Sequence, residues 1–336
     1  MKTTSAWFGA ALLACFAAVS TGQTVPNTIR RTEREVRELN RNMTQRLGAL
    51  EKQIADLTAL VRRMSSDMAR LRSAASPAAG AKAVAVGEAV RGRQLNIQVA
   101  RDDWGQAGTK DMERVLLSAA GQLWAHLPSR QLETILVRRS TTGPITLHRR
   151  GRGGEIVVKL DWAGGDWDKL ADQFARQFCR ILTDYHEEES RRNRWFADAL
   201  GEAAAVYAVK QMAEAWKRTP PSSAWRKHIP ALRAHAEQRQ KAWPELPTGA
   251  TLADWYKQNE AALSKGAAGG RIGVVARHLL AALEADPSRW EAVGFLNAAK
   301  PDRADRFKDY LSNWHENAPA GHKAFVGSII DAFGQR

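Results

Sequence analysis

The chain has 336 residues, with 50 Lys or Arg against 36 Asp or Glu, a net charge of +14 and a sequence pI near 10.1. That length supports one sizeable globular domain with an appended segment. With only two cysteines, Cys15 and Cys179, there is no disulfide framework, so the fold must be held by its core. The charge favours anionic partners, but nothing in the sequence resembles an RNA- or DNA-binding module, and no nucleic acid partner is expected.

At the start of the chain, Lys2 precedes an apolar stretch from Ala6 to Val19, followed by the small residues Ser20, Thr21 and Gly22. This predicts a secretory signal peptide over residues 1–22. The stretch is shorter than the roughly 20 residues that span a bilayer as a helix, and no later stretch is long enough, so no transmembrane helix is expected in the mature chain. Leu12-Leu13-Ala14-Cys15 also has the form of a lipoprotein cleavage box, in which Cys15 would carry the lipid. Both routes predict an exported protein, periplasmic or secreted, with lipid anchoring at Cys15 as the variant. Envelope polymers and lipid head groups then become the anionic partners that the charge would attract.

Residues 30–73 predict a coiled coil. Leu47, Ile54, Val61 and Met68 fall at position a of a heptad, and Val36, Met43, Leu50, Leu57, Met64 and Leu71 at position d. A seven-residue repeat kept over about five heptads requires a left-handed supercoil, because a straight helix would rotate the stripe away from its partner. β-Branched Ile54 and Val61 at a, facing Leu at d, favour a parallel dimer, and a buried Asn40 at a selects dimer and register. Arg46 at g faces Glu51 at e across such a dimer, and Asp67 faces Arg72. The expected partner is therefore a second copy of the chain, joined through Val36 to Leu71. A trimer, or one amphipathic helix folded back on the globular domain, are the competing arrangements.

Residues 74–92 are rich in Ala and Gly and read as a linker, leaving 93–336 as the globular domain. Its predicted elements are α+β, a small sheet followed by a mostly helical lobe. Leu95 to Val99 alternates as a half-buried strand does, and Met112, Leu116, Ala119, Ala120, Leu123 and Leu127 mark a helix over 109–127. Strands are expected at Thr134 to Val137, Ile145 to His148 and Ile156 to Leu160. Beyond Trp167 the pattern is helical, with breaks at Pro220-Pro221, Pro244 to Gly249, Lys265 to Gly270, Pro287, Pro301 and Pro319. Thr251 and Asp254 have capping-box spacing at the start of one of these helices.

Two segments carry a family resemblance. Gln173 to Leu182, with Gln173-Phe-Ala-Arg176-Gln177-Phe178-Cys179-Arg180, resembles the H-E-x-x-H helix of a group of bacterial zincin-like proteins. Asn193 to Glu202 is similar to that group's second motif. The order of sheet, helix, second helix and helical lobe also resembles the gluzincin, or thermolysin-like, zinc metallopeptidases, and the likeness covers most of residues 93–336. The resemblance implies a zincin-like fold in which Arg176 and Arg180 stand at the histidine places, Gln177 at the place of the general base and Asp198 at that of the third ligand. A guanidinium keeps its proton and has no lone pair to offer a metal, and a glutamine amide cannot act as a base. Asp198 could still coordinate a metal, but one carboxylate does not make a zinc site. The remaining histidines, His126, His148, His186, His228, His235, His278, His315 and His322, include no pair three or four apart. No metal, cofactor or catalytic residue is therefore expected.

Arg176 and Arg180 are one helical turn apart, as are Asp198 and Glu202. Packed as in a zincin, the two helices would bring two cations to two anions, either as an ion-pair set in place of zinc or as side chains pointing into a wet cleft. Cys179 reads as a packed thiol or, beside the two arginines, a reactive one. The many tryptophans read as core, with stacking on sugars as the alternative. His148 to Gly154 reads as a basic hairpin tip able to meet an anionic polymer. Taken together, the sequence predicts an exported, dimeric, non-catalytic pseudopeptidase whose cleft binds peptide or an anionic envelope polymer. A metallopeptidase or hydrolase with an unconventional site and a coiled-coil scaffold of the cell envelope are the alternatives.

Overall fold

A computed structural model describes residues 94–184, 192–266, 269–299 and 306–336, together with the isolated positions Glu38, Gln45 and Gly48, which are helical and exposed. The chain divides into two units at 83/84, and apart from those three positions the described residues lie in the second. The signal peptide, the linker and all but those three positions of the predicted coiled coil lie outside the described residues.

The second unit is α+β and mostly helical. It opens with β1 (Ile97–Val99), α1 (Thr109–Trp124), β2 (Ile135–Arg139), β3 (Ile145–Thr146) and β4 (Ile156–Leu160), which make one sheet in the order β1-β2-β4-β3. β1, β2 and β4 run parallel; β1 and β2 alternate between buried and more exposed positions, while β4 is buried at every residue but Lys159. β3 pairs antiparallel with β4 and forms one edge. The helix predicted to reach residue 127 ends at Trp124. Pro128 has no N–H to donate and disfavours helical backbone at the residue before it, so the chain leaves in a turn.

The helical lobe consists of α2 (Trp167–Leu182), α3 (Arg194–Arg218), a 3₁₀ turn (Ser223–His228), α4 (Ile229–Lys241), α5 (Leu252–Ser264) and α6 (Arg271–Ala285). A 3₁₀ turn at Pro287–Arg289, α7 (Trp290–Val293), α8 (Phe307–Asn317) and α9 (Lys323–Ala332) complete it. Helix boundaries fall at the Pro- and Gly-rich segments expected from sequence, except that Pro301 lies outside the described residues. Thr251 caps α5 as its spacing predicts, its Oγ1 accepting from the Asp254 N–H at 3.1 Å. No helix among the described residues is long and apolar enough to cross a membrane.

α2 is strongly two-faced. Leu170, Phe174, Phe178, Ile181 and Leu182 are buried against the sheet and α1 side, while Arg176 and Arg180 lie on the opposite stripe. α3 is buried on nearly every side by a run of alanines and by Trp195, Phe196, Val206, Val209, Met212 and Trp216, and so acts as the central post of the lobe. Its first turn is clamped by an aromatic cluster in which Trp195 and Phe196 meet Phe307 at 4.8 and 5.4 Å between ring centroids, with Tyr256, Trp314 and Phe333 around them. The end of α2 is tied to α8 by Asn297, which donates to the Thr183 carbonyl at 2.8 Å and accepts from the Tyr310 hydroxyl at 2.9 Å. These contacts fix the two helices that carry the conspicuous charged residues.

Candidate functional site

α2 and α3 pack closely because Gly201 leaves room. A Cβ at this position would lie 3.1 Å from the Arg176 Cγ, tighter than ordinary side-chain contact. Along this seam the side chains singled out by sequence come together. Arg176 pairs with Glu202 through Nη1, and its Nη2 lies 3.1 Å from Asp172, one turn back on its own helix. Arg180 donates to Asp198 at 3.4 Å. All five positions, Arg176, Gln177, Arg180, Asp198 and Glu202, line one cleft of about 300 Å³, together with Pro144, Ile145, Arg194, Ala197, Gly201 and Ile272.

The charged cluster extends further than the two motifs. From α4, Arg239 pairs with the second oxygen of Glu202 and approaches Asp172 at 3.4 Å. His235 stands between two carboxylates, with Nδ1 3.2 Å from Asp168 and Nε2 3.3 Å from Asp172. The long-range members Asp168, Asp172, His235 and Arg239 were not among the sequence candidates. A signal for them existed: Asp168 and Asp172 are one turn apart on α2, and His235 and Arg239 one turn apart on α4. Their meeting depends on packing between helices distant in sequence. Asp172 Oδ1, Arg176 Nε, His235 Nε2 and Arg239 Nε are buried without a directed hydrogen bond among the described residues, so the cluster is held as much by charge as by hydrogen-bond geometry.

The carboxylates respond differently to their surroundings. Burial pushes Asp172 up, but contact with His235 and the charges of Arg176 and Arg239 outweigh it, and its pKa falls below the ordinary value of 3.8. For Asp198, crowding by protein around the cleft raises the pKa in spite of Arg180, Arg194 and Arg176, although the side chain keeps an opening to solvent.

Gln177 has a structural job. It is buried, and its Oε1 accepts from the Thr146 hydroxyl at 2.9 Å, tying α2 to the edge strand. β3 therefore lies beside the cleft in a fixed register. Ile145 and Thr146 oppose Lys159 and Val158, and the Leu147 N–H bonds the Val157 carbonyl at 2.9 Å. The alternation of an antiparallel ladder then turns the Thr146 N–H and C=O away from β4, but Thr146 is only 1% exposed, so the edge is covered at this residue. Ile145 is 41% exposed, one of two large exposed hydrophobic side chains among the described residues.

The residues do not fit the zinc ion that the family resemblance implies. Two guanidiniums already paired with carboxylates occupy the helix stripe where imidazoles would be needed, and they repel a divalent cation. Among the described residues no three His, Cys, Asp or Glu side chains converge in a way that could hold a metal ion. Cys179 lies in the core with its thiol pushed up to about 12 by burial, so it is a packed thiol and not a thiolate near arginines. Trp104, Trp124, Trp195, Trp216, Trp290 and Trp314 are almost fully buried, which makes core packing their role. Arg149, Arg150 and Arg152 are exposed on the loop joining β3 to β4, and Arg150 pairs with Glu133 at 3.2 Å. No family model, no curated protein and no solved structure matches this chain.

Proposed function

We propose that the protein is an exported, non-catalytic pseudopeptidase, a zincin-like domain dimerised by its N-terminal coiled coil, whose cleft binds peptide without cutting it. The observation that carries this reading is the occupation of the α2–α3 seam by Arg176 and Arg180, each engaged by carboxylates from the facing helix. Hydrolysis needs a polarised water and a base. Here the stripe that would supply them offers donors that cannot give up a proton and an amide turned to structural use.

Peptide is favoured over an anionic polymer because the cleft joins an apolar wall of Pro144, Ile145 and Ile272 to its polar and charged residues, a mixture that suits peptide side chains. A long polyanion would instead need a continuous cationic track, and the arginines of this cleft are largely neutralised by Asp172, Asp198 and Glu202.

The test is to incubate the mature full-length chain, without a histidine tag, with a pool of random unmodified peptides, and to examine retained and unretained peptides by mass spectrometry. Retention of peptides recovered uncut, with or without a chelator, is the expected result. Cleavage that is abolished by the chelator would overturn the reading in favour of a metallopeptidase with an unconventional site.

A further inference from the structure

The lining of the cleft divides by chemistry. Pro144, Ile145 and Ile272 form its apolar part, while Arg176 and Arg180 of α2 and Arg194 of α3 bring three guanidiniums to the same space. Ile145 is exposed although its neighbour Thr146 is buried, so the strand turns the isoleucine outward. The hydrogen bond from Thr146 to Gln177 and the pairing of Ile145 with Lys159 hold it in that position. A large apolar side chain fixed at a cavity and left out of the core offers area for a ligand to cover. Ala197 and Gly201, one turn apart on α3, also line the cleft and present almost no side chain, which leaves room for an entering group.

The guanidiniums are not spare charges. Arg176 pairs with Glu202 and Asp172, Arg180 with Asp198, and Arg194 lies 3.9 Å from Asp198. Such pairing engages the N–H donors, which lie in the plane of the guanidinium and point out from its edges, and it leaves the flat faces. A paired guanidinium therefore keeps one attraction for a ligand, that of its face for an aromatic ring, which needs no new ion pair. An aliphatic side chain in the same space would strip water from the ion pairs and return nothing to them, whereas a ring replaces that water with a favourable contact. The volume of about 300 Å³ is at the small end for a ligand site and suits one large side chain. Arg194 is the most accessible of the three, 51% exposed against 28% for Arg176 and 11% for Arg180, so its face is the one a ligand reaches.

Resting on the reading of the cleft as a peptide site, we infer that it selects an aromatic side chain of the bound peptide, with the ring set against Ile145 and Ile272 and stacked on the Arg194 guanidinium. Ile145 and Arg194 are then the residues that determine specificity. The isoleucine supplies apolar area to any side chain that enters, and the arginine supplies the preference for a ring over an aliphatic chain.

The experiment sequences by mass spectrometry the peptides that the mature full-length chain retains from a random unmodified pool, and compares their composition with the input. Peptides carrying Phe, Tyr or Trp are expected to be enriched about fivefold over those whose only large apolar residues are Leu, Ile or Val. Arg194→Ala should remove that preference, and Ile145→Ala should weaken retention of ring-bearing peptides about threefold. Leu117→Ala, which removes the other large exposed hydrophobic side chain and lies outside the cleft, should change neither. Three results would overturn the inference and leave peptide binding standing: equal enrichment of aliphatic and aromatic peptides, enrichment of acidic peptides in place of aromatic ones, or an aromatic preference that survives both cleft substitutions. An aromatic preference lost in Leu117→Ala would overturn it as well, by placing the ring elsewhere on the surface. Retention of no peptide at all would bring down the peptide-binding reading and the inference with it.

Discussion

Asp172 is the residue on which most of the charged seam turns. It is only 6% exposed, it meets Arg176, Arg239 and His235, and none of these contacts alone is an ideal hydrogen bond to both of its oxygens. Replacing it with Asn leaves those cations buried without their shared anion, and the expected cost is about 3 kcal/mol, read from the midpoint of urea unfolding. The pH dependence has a definite sign. The folded state holds the Asp172 proton less tightly than the unfolded chain does, so its stabilising contribution is complete above the ordinary value of 3.8 and is lost as pH falls below it toward the lowered folded value. The stability gap between native protein and Asp172→Asn should therefore be constant near neutrality and shrink below about pH 4. A gap that widens on acidification would show that Asp172 is not held ionised by its neighbours. From the sequence alone Asp172 looked like an ordinary polar residue four before Arg176, because its other partners come from α4, more than sixty residues along the chain.

At the scale of elements, the seam between α2 and α3 depends on two conditions that act together: the small Gly201 that permits close approach, and opposite charges that meet once the helices are close. The pairing of Arg176 with Glu202 can be tested by exchanging the charges. Arg176→Glu and Glu202→Arg should each destabilise the protein, and the double exchange should recover about 2 kcal/mol of the summed loss if the two side chains interact directly. Strict additivity would mean that they merely share a cleft. The helices themselves were legible in sequence because α2 has a clean apolar stripe and the breaks carry Pro or Gly. α3 was found through its motif, since an alanine-rich helix buried on nearly all sides has little periodicity to read. The strands were located to within a few residues. What remained hidden was that β3 would form an edge beside α2, because Thr146 and Gln177 are joined by a hydrogen bond between residues 31 apart that no local pattern encodes.

For the whole molecule, the sequence reading divides labour between a dimerising N-terminal segment and a self-sufficient domain. The heptad pattern makes a specific prediction: the mature chain should sediment as a dimer, and deletion of residues 36–71 should yield a monomer with an unchanged thermal transition of the remaining domain. A deleted chain that stays dimeric would place the association surface within residues 93–336. The described unit has features expected of a domain that folds on its own, with one continuous core running from the sheet through α1, α2 and α3 to the C-terminal helices.

That core includes a chain of four indoles that links separate parts of the fold. Trp162 follows β4, Trp167 begins α2, Trp225 lies in the 3₁₀ turn and Trp216 near the end of α3, with successive ring centroids 5.4, 4.9 and 5.3 Å apart. Rings this close exchange excitation energy and couple their electronic transitions, so the ladder gives the protein a built-in optical reporter. Its near-ultraviolet dichroism exists only while sheet, 3₁₀ turn and both helices hold their mutual positions. Any event that shifts α2 against α3 would thus be reported without a label, by a change in the emission and dichroism of these rings.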